Sequence, residues 1–357
     1  MRLAGILKIA RLQALNNPIT IAGGGLAGLS LGIALQSRGV PVTIHEASTY
    51  PRHRVCGEFI SGVTEETLTN LGIADCLEQA TTLTSAHWSD RVGKLTEMQA
   101  PGRGISRWRL DNLLQERFTM LGGTLCTNSR AARTHGVIWA AGRPRRPSSW
   151  LGLKCHARNL PLDADLEMFT SPGGYVGLSK IENGKVNICG LFRKTRARSP
   201  RAGSVLREGS LKGIGLLLQT LLDCSLESVA MRIASADLEE ASFCGVAGFQ
   251  TGRQEGPEFS IGDAASMIPP FTGNGMTMAF ESAECALGPA LQYARGRTTW
   301  IDAGKACAVS QTRRFSRRMT AANFLHGLLT NAAGLKVFGA LARAGFLPVQ
   351  TLLQLVR

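Results

Sequence analysis

The sequence predicts an α/β protein: a Rossmann-like domain, a β-rich region inserted into it, and a helical C-terminal end. Three observations carry the prediction. Residues 19–46 run strand, glycine turn, helix, strand and acid, which is one βαβ half with its turn chemistry in place. Strand patterns then dominate from 151 to about 258. A second glycine-acid turn, Gly262-Asp263, follows them and leads back into a small-residue helix over 276–287.

Ile19-Thr20-Ile21 is β-branched and reads as a buried strand. Gly23-Gly24-Gly25-Leu26-Ala27-Gly28 has the GxGxxG spacing where that strand turns into a helix. Gly23 permits the tight turn, Gly25 lets backbone approach a pyrophosphate, and Gly28 lets the helix lie close on the strand. The helix starts at Leu26 and Ala27, where free N–H groups face phosphate charge. Residues 26–37 are small or apolar, and Gly39 sits where a left-handed stop belongs. Val42-Thr43-Ile44-His45 is the second strand. It ends on Glu46, placed to accept hydrogen bonds from an adenosine ribose, and an acid there favours FAD or NAD over NADP.

Residues 1–17 carry Leu3, Ile6, Leu7, Ala10 and Leu15 at roughly helical spacing, with Arg2, Lys8 and Arg11 between them. Both a membrane-surface helix and a docked extension fit that pattern. A polar loop from Tyr50 to Ser61 contains Arg54 and Cys56-Gly57-Glu58. Residues 64–71 predict a helix with Glu65 and Glu66 favourably placed in its first turn. Strands are expected over 82–105, a helix from 105 that stops near Gly122-Gly123, and a buried strand over 137–143. Residues 174–192 form a hairpin around Asn183-Gly184. Residues 196–215 are basic and helical or loop-like, and the chain is helical and amphipathic from 298 on.

The expected organisation is an extension over 1–17 and a discontinuous cofactor domain of 18–80, 105–150 and 255–290. A β-rich substrate domain of 81–104 and 151–254 is set into it, and a basic helical region covers 291–357.

At 357 residues the chain can bury a substantial core. Its nine cysteines show no CxxC pair and no metal-ligand spacing, so no metal is expected. With nothing completing a secretory signal, a reduced, cytoplasmic setting is expected. The formal net charge is +14, and residues 291–357 hold ten Lys and Arg against one acid, Asp302. No nucleic-acid motif accompanies that charge, so nucleic acid is not an expected partner; peripheral contact with an anionic membrane through this end is. The alternative is that these helices pack over the cofactor domain with their arginines solvated. The apolar stretches at 324–329 and 347–356 are too short or too polar to span a bilayer.

Three separated segments, the GxGxxG with Glu46, the helix containing Arg107, and Gly262-Asp263 with Pro269-Pro270-Phe271-Thr272-Gly273-Asn274-Gly275, resemble the superfamily of FAD-dependent group A monooxygenases and geranylgeranyl reductases. The resemblance covers residues 18 to about 290 and implies a para-hydroxybenzoate-hydroxylase-like fold. It implies that Gly23, Gly25 and Gly28 hold the FAD pyrophosphate and Glu46 the ribose. Arg107, with Arg54 nearby, would sit by the phosphates or ribityl chain, and Asp263 after Gly262 would bind a ribityl hydroxyl. Pro270, Thr272, Gly273, Asn274, Gly275 and Met276 would pass along the isoalloxazine, with N–H groups of the next helix at its anionic edge. Cys56 falls where the reductases often carry a cysteine near the flavin, and Tyr175 and Asn187 would roof the substrate pocket; a structural loop and plain core roles are the alternatives.

Departures bear on the reaction. The tryptophan pair and catalytic-lysine motif of flavin halogenases are missing, which weighs against halogenation. The aromatic-proline signature of the reductases is missing too, as is the histidine that follows Gly-Asp-Ala in aromatic hydroxylases, and the segment from 123 to 137 is short. No second GxGxxG exists, so NAD(P)H or another reductant would bind transiently. The leading expectation is a flavoprotein monooxygenase that hydroxylates or epoxidises a hydrophobic small molecule (polyketide, isoprenoid or lipid-like) through a flavin hydroperoxide. The alternatives are a flavin-dependent reductase of carbon–carbon double bonds and a membrane-surface lipid-binding protein whose FAD is structural or lost. The sequence leaves the substrate and the oligomeric state open.

Overall fold

The computed structural model describes residues 17–143, 147–193, 212–249 and 251–356. The expectations for residues 1–16 and 196–211 lie outside the described residues.

The first strand, β1 (Ile19–Ala22), turns at Gly23–Gly25 into α1 (Leu26–Gln36), and β2 (Val42–His45) follows. Ten of the eleven residues of α1 are buried, because it is apolar on every side and lies between sheet and helices. The chain then leaves this sheet. Residues 59 and 60, placed by the sequence with the cofactor domain, form β3 (Phe59–Ile60) on the edge of a second sheet. The helix α2 (Glu65–Leu71) is capped by the Thr64 hydroxyl, which accepts from the Thr67 amide at 3.1 Å, and closes on Gly72 in the left-handed region. After it β4 (Thr81–Ser89) and β5 (Lys94–Gly104) pair as an antiparallel hairpin.

The helix α3 (Arg107–Met120) brings the chain back to the first sheet, to β6 (Thr124–Cys126) and β7 (Val137–Trp139). That sheet is parallel, in the order β6-β2-β1-β7. The strand expected before Gly262 is reduced to a single bridge: Trp139 pairs with Ser260 in parallel at the free edge of β7.

The large sheet is completed by β8 (Trp150–Arg158), β9 (Leu166–Ser171), β10 (Gly174–Lys180) and β11 (Val186–Arg193). The β10–β11 hairpin turns at Asn183 and Gly184, both with positive φ, as the Asn-Gly dipeptide predicts. The β-rich expectation for 151–254 needs one correction. Two helices interrupt it, α4 (Gly213–Asp223) and α5 (Glu227–Ala234), before β12 (Asp237–Ala247). Their Leu217, Leu221, Val229 and Ile233 cover one face of the sheet in a core with Leu153, Cys155, Ala157 and Ile188. The eight strands run β12-β8-β11-β10-β9-β4-β5-β3, antiparallel except that β4 and β9 run together.

A small ribbon of β13 (Gly252–Arg253) and β14 (Ser266–Met267) frames the Gly262 turn. The chain ends in α6 (Gly275–Ala294), α7 (Trp300–Leu329), α8 (Ala332–Arg343) and α9 (Val349–Leu355). α7 packs on α6, while α8 and α9 pack against β5, so the basic end covers the large sheet as well as the cofactor domain. Among the described residues no single helix is long and apolar enough to cross a membrane. All nine thiols are free.

Candidate cofactor and substrate site

Two connected hollows lie where the parallel sheet meets the large one. The smaller, about 570 Å³, runs along the carboxyl end of β1 and β2 and is lined by Gly23, Gly25, Leu26, Ala27, Glu46 and Asp263. The larger, about 1130 Å³, lies between the large sheet and the C-terminal helices. Arg54, Arg107, Arg143, Asp263 and Met276 border both.

Each glycine of the first turn shows its reason for being there. A Cβ on Gly23, at φ +111°, would fall 2.4 Å from the Ala140 carbonyl oxygen. One on Gly28 would fall 2.0 Å from the carbonyl oxygen of Gly23, so the helix rests on the turn itself. A Cβ on Gly25 would meet nothing within 4 Å, because this residue opens on the smaller hollow. Glu46 is buried at the end of β2 and accepts from the Gly24 amide at 2.9 Å, the Ser48 amide at 3.0 Å and Arg52 Nη2 at 2.7 Å. Tyr50 closes the same turn by donating its hydroxyl to the Gly24 carbonyl.

The distant half of the motif arrives from across the fold. Gly262 sits at φ +62°, and a Cβ there would lie 3.0 Å from the Ala27 Cβ, so the second turn touches the first helix. The Gly262 amide donates to Ser282 Oγ at 2.7 Å, which ties the turn to α6. Burial raises the pKa of Asp263, against the opposing pull of Arg107, Arg143 and Arg54.

Two arginines are held beside this turn by a residue the sequence reading missed. Asp111, fully buried, takes Arg107 Nε and Nη2 at 2.7 Å each and Arg54 Nε at 3.1 Å. Burial works against the charge of Arg107, yet Asp111 outweighs it and raises its pKa. Burial and the like charge of Arg107 lower the pKa of Arg54. Arg54 Nη2 is buried, makes no hydrogen bond and lies 3.7 Å from Glu46 Oε2, so its charge is met in part while its hydrogens are not. The signal for Asp111 was its i, i+4 spacing from Arg107.

Of the flavin-loop residues, Pro270, Thr272, Gly273, Gly275 and Met276 line the larger hollow. Asn274 does not. It is buried with its carboxamide donating to the Val356 carbonyl and to the Thr272 carbonyl at 3.2 Å, so it clamps the C-terminus to the loop. Thr64, Ser106, Thr299 and Asn331 cap α2, α3, α7 and α8 with their side chains. No side chain caps α1 or α6. Residues 25 to 27 and 275 to 276, at the starts of those two helices, line the smaller and the larger hollow.

Cys56 and Tyr175 line the larger hollow, with Trp88, Met168, Phe271 and Phe338. Burial raises the pKa of Cys56, which is hydrogen-bonded to Arg107 and stays a thiol. Tyr175 packs edge-on to Phe271, ring centroids 6.4 Å apart. Asn187, fully buried, donates to the Cys56 carbonyl at 3.0 Å and so fixes the loop rather than facing a ligand.

Beneath this loop lies an ion cluster that the sequence reading passed over. Lys154 and Glu58 are both fully buried and 3.2 Å apart. His156 Nε2 meets Glu58 Oε2 at 2.6 Å, the Arg107 amide donates to Glu58 Oε1 at 2.9 Å, and Lys154 Nζ donates to His53 Nδ1 at 3.1 Å. Burial would raise the pKa of Glu58, but Lys154, His156 and the Arg107 amide together lower it. His53, on the wall of the larger hollow, is lowered to about 4, by burial first and then by Lys154 and His156. The legible sign was Lys154 and His156 two apart in an otherwise apolar strand, both on the face opposite Leu153 and Cys155. Elsewhere His87, Asp163 and Glu167 bring ligand-type atoms within 4.8 Å of one another, but Glu167 is already paired with Arg232.

Open backbone at Gly25, two uncapped helix starts and an orphaned arginine nitrogen fit an extended dinucleotide with a pyrophosphate in its middle. Residues 16–135 match the family model described as the FAD binding domain. The chain is an FAD-dependent flavoprotein. No curated protein matches it by sequence. Among solved structures, flavoprotein folds of this type superpose over nearly the whole chain. PqsL of Pseudomonas aeruginosa, in complex with 2-aminobenzoylacetate, is 17% identical at a TM-score of 0.68, over 91% of this chain and 99% of its own. The p-nitrophenol 4-monooxygenase PnpA of Pseudomonas putida is 11% identical at 0.71, over 96% of each. The flavin-dependent brominase Bmp2 is 16% identical at 0.69, over 94% of this chain and 92% of its own. At these identities the likeness is one of fold, and the flavoprotein's fold is that of the FAD-dependent monooxygenases, as the sequence predicts. By cofactor domain and fold it is an FAD-dependent oxidoreductase. The smaller hollow, with its glycine turn, open helix start and Glu46, has the chemistry to hold an adenosine and a pyrophosphate.

Proposed function

We propose that this flavoprotein is a monooxygenase acting on a hydrophobic small molecule. The observation that carries the reading is the larger hollow, about 1130 Å³, which shares Arg107, Asp263 and Met276 with the cofactor cleft and is walled by Trp88, Met98, Met168, Leu325, Phe338 and Val356. A volume of that size exceeds what a flavin ring needs and leaves an apolar chamber beside it.

When bound, FAD supplies the redox chemistry, drawing electrons from NAD(P)H or another reductant that visits transiently. The chain's own residues bind, orient and shield. The N–H groups at the start of α6, which opens on the chamber at Gly275 and Met276, would stabilise negative charge on a bound flavin, and the aromatic and aliphatic walls would exclude water. His53, accepting a hydrogen bond from Lys154 Nζ at Nδ1, carries its own proton on Nε2 at the chamber wall. Cys56, held as a thiol by burial, fits a fixed part of the wall rather than a reacting group.

The test is rapid mixing of the reduced, anaerobic protein with oxygen, followed through the visible spectrum. A transient species between the reduced and oxidised spectra is the expected result. Direct oxidation with none, with apolar compounds in the chamber as well as without them, would favour the double-bond reductase. A purified protein that binds no added FAD would favour the lipid-binding alternative.

A further inference from the structure

A surface helix of a folded domain ordinarily keeps one apolar face inward and a polar face outward. The helix α8 does not. Its Leu335 and Phe338 are buried, and Phe338 forms part of the chamber wall. Its opposite face is apolar too: Ala333, Val337, Ala340, Leu341 and Ala344 follow helical spacing and are all exposed, Val337 at 57% and Leu341 at 43%. Phe346, in the turn that follows, is 77% exposed. The charges bordering this face are the exposed Lys336 and Arg343, the latter paired with Asp90 at 2.9 Å, and residues 303–357 contain no acid at all. On the preceding helix the exposed face carries Arg313, Arg317 and Phe324 in line, and neither arginine has an acidic partner among the described residues.

An apolar stripe bordered by cations, with the nearby Asp90 turned inward and taken up by Arg343, matches a lipid surface with negative headgroups, which takes apolar side chains at its boundary and attracts Lys and Arg. We propose that the outward face of α8, with Phe346, docks this protein on an anionic membrane. The helix then has the bilayer on one side and the apolar chamber on the other. This deepens the reading of the chamber as a site for hydrophobic substrates, yet binding can be measured without any turnover.

The experiment is flotation of the FAD-loaded full chain with vesicles of phosphatidylcholine alone and of phosphatidylcholine with phosphatidylglycerol, at low and high salt. The protein should prefer the anionic vesicles by about tenfold or more, with the preference shrinking in salt. V337D/L341D/F346D should lose at least that factor while keeping the yellow, FAD-bound spectrum. F346W, which alters only an exposed position, should gain fluorescence that brominated phosphatidylglycerol vesicles quench. Equal flotation of the native and triple-aspartate proteins overturns the proposal, as does an unquenched F346W. So does a dimer that the aspartates dissolve in the absence of any vesicle binding, since a second copy would then cover the face.

Discussion

Gly25 and Gly28 stand three positions apart in one motif, yet substitutions there should fail in different ways. A side chain at Gly28 meets the Gly23 carbonyl at 2.0 Å, and backbone cannot move aside cheaply. G28V should destabilise the domain by about 1–3 kcal/mol or more, seen as a lower urea midpoint. A side chain at Gly25 meets only the hollow. G25V should keep the midpoint of the cofactor-free protein and lose FAD. The buried Lys154 offers a second test. K154M removes the buried cation beside Glu58, leaving its carboxylate only His156 and the Arg107 amide, and should cost about 3 kcal/mol, with much of that recovered in K154M/E58Q. The same cluster sets an acid limit. His53 holds its proton only below about 4, whereas an unfolded imidazole takes one near 6.5. As pH falls through that window the unfolded chain binds the proton first, so stability falls. The lowered pKa of Glu58 acts in the same sense at lower pH: its contribution is present above the ordinary carboxylate range and is lost as pH falls below it. Urea midpoints at about pH 7, 5.5 and 4.5 should decline in the native protein and decline less in H53N. What the sequence showed at this scale were residues whose roles are local. Asp111 and Lys154 stayed hidden because their partners, Arg54, Glu58 and His53, lie far off in sequence and come near only when the sheets meet.

At the scale of elements, whatever carried its own period or punctuation was legible. The strand-turn-helix at 19–36, the Asn-Gly hairpin and the Ser106-capped helix formed where they were expected. Helices α4 and α5 were missed within a stretch dominated by strand signals; Leu216, Leu217, Leu218, Leu221 and Leu222 show apolar character but hide the helical period. The segment at 259–261 has strand composition, but only one bridge forms because it meets β7 at a sheet edge. The C-terminal helices are the elements whose role changed most. Leu325, Phe338, Leu352 and Val356 make them a wall of the chamber, and Asn274 pins the last turn. Truncation after Leu347 should therefore leave FAD bound but its ring exposed, and iodide should quench the flavin fluorescence of the truncated protein more strongly than that of the full chain.

For the whole molecule, FAD would add to a core that already joins the first helix to α6 and the second turn. FAD binds the folded chain and not the unfolded one, so at a hundred times its dissociation constant it should add about 2.7 kcal/mol, read as a rise in melting temperature. The gain should vanish in G25V. Of the two readings of the basic end, packing over the cofactor domain holds for α7, and α8 and α9 extend that packing to the large sheet.

The contact between Gly262 and Ala27 also fixes when the protein can acquire its colour. A ribosome completes the GxGxxG motif, Glu46 and both arginines early, well within the first half of the chain. The second turn and the start of α6 emerge much later, and until they do the cleft lacks one of its sides. A nascent chain, or a fragment ending near residue 143, holds most of the recognisable signature and no finished site. Flavin loading thus becomes a late event in synthesis, and in effect a report that the distant half of the chain has found its place.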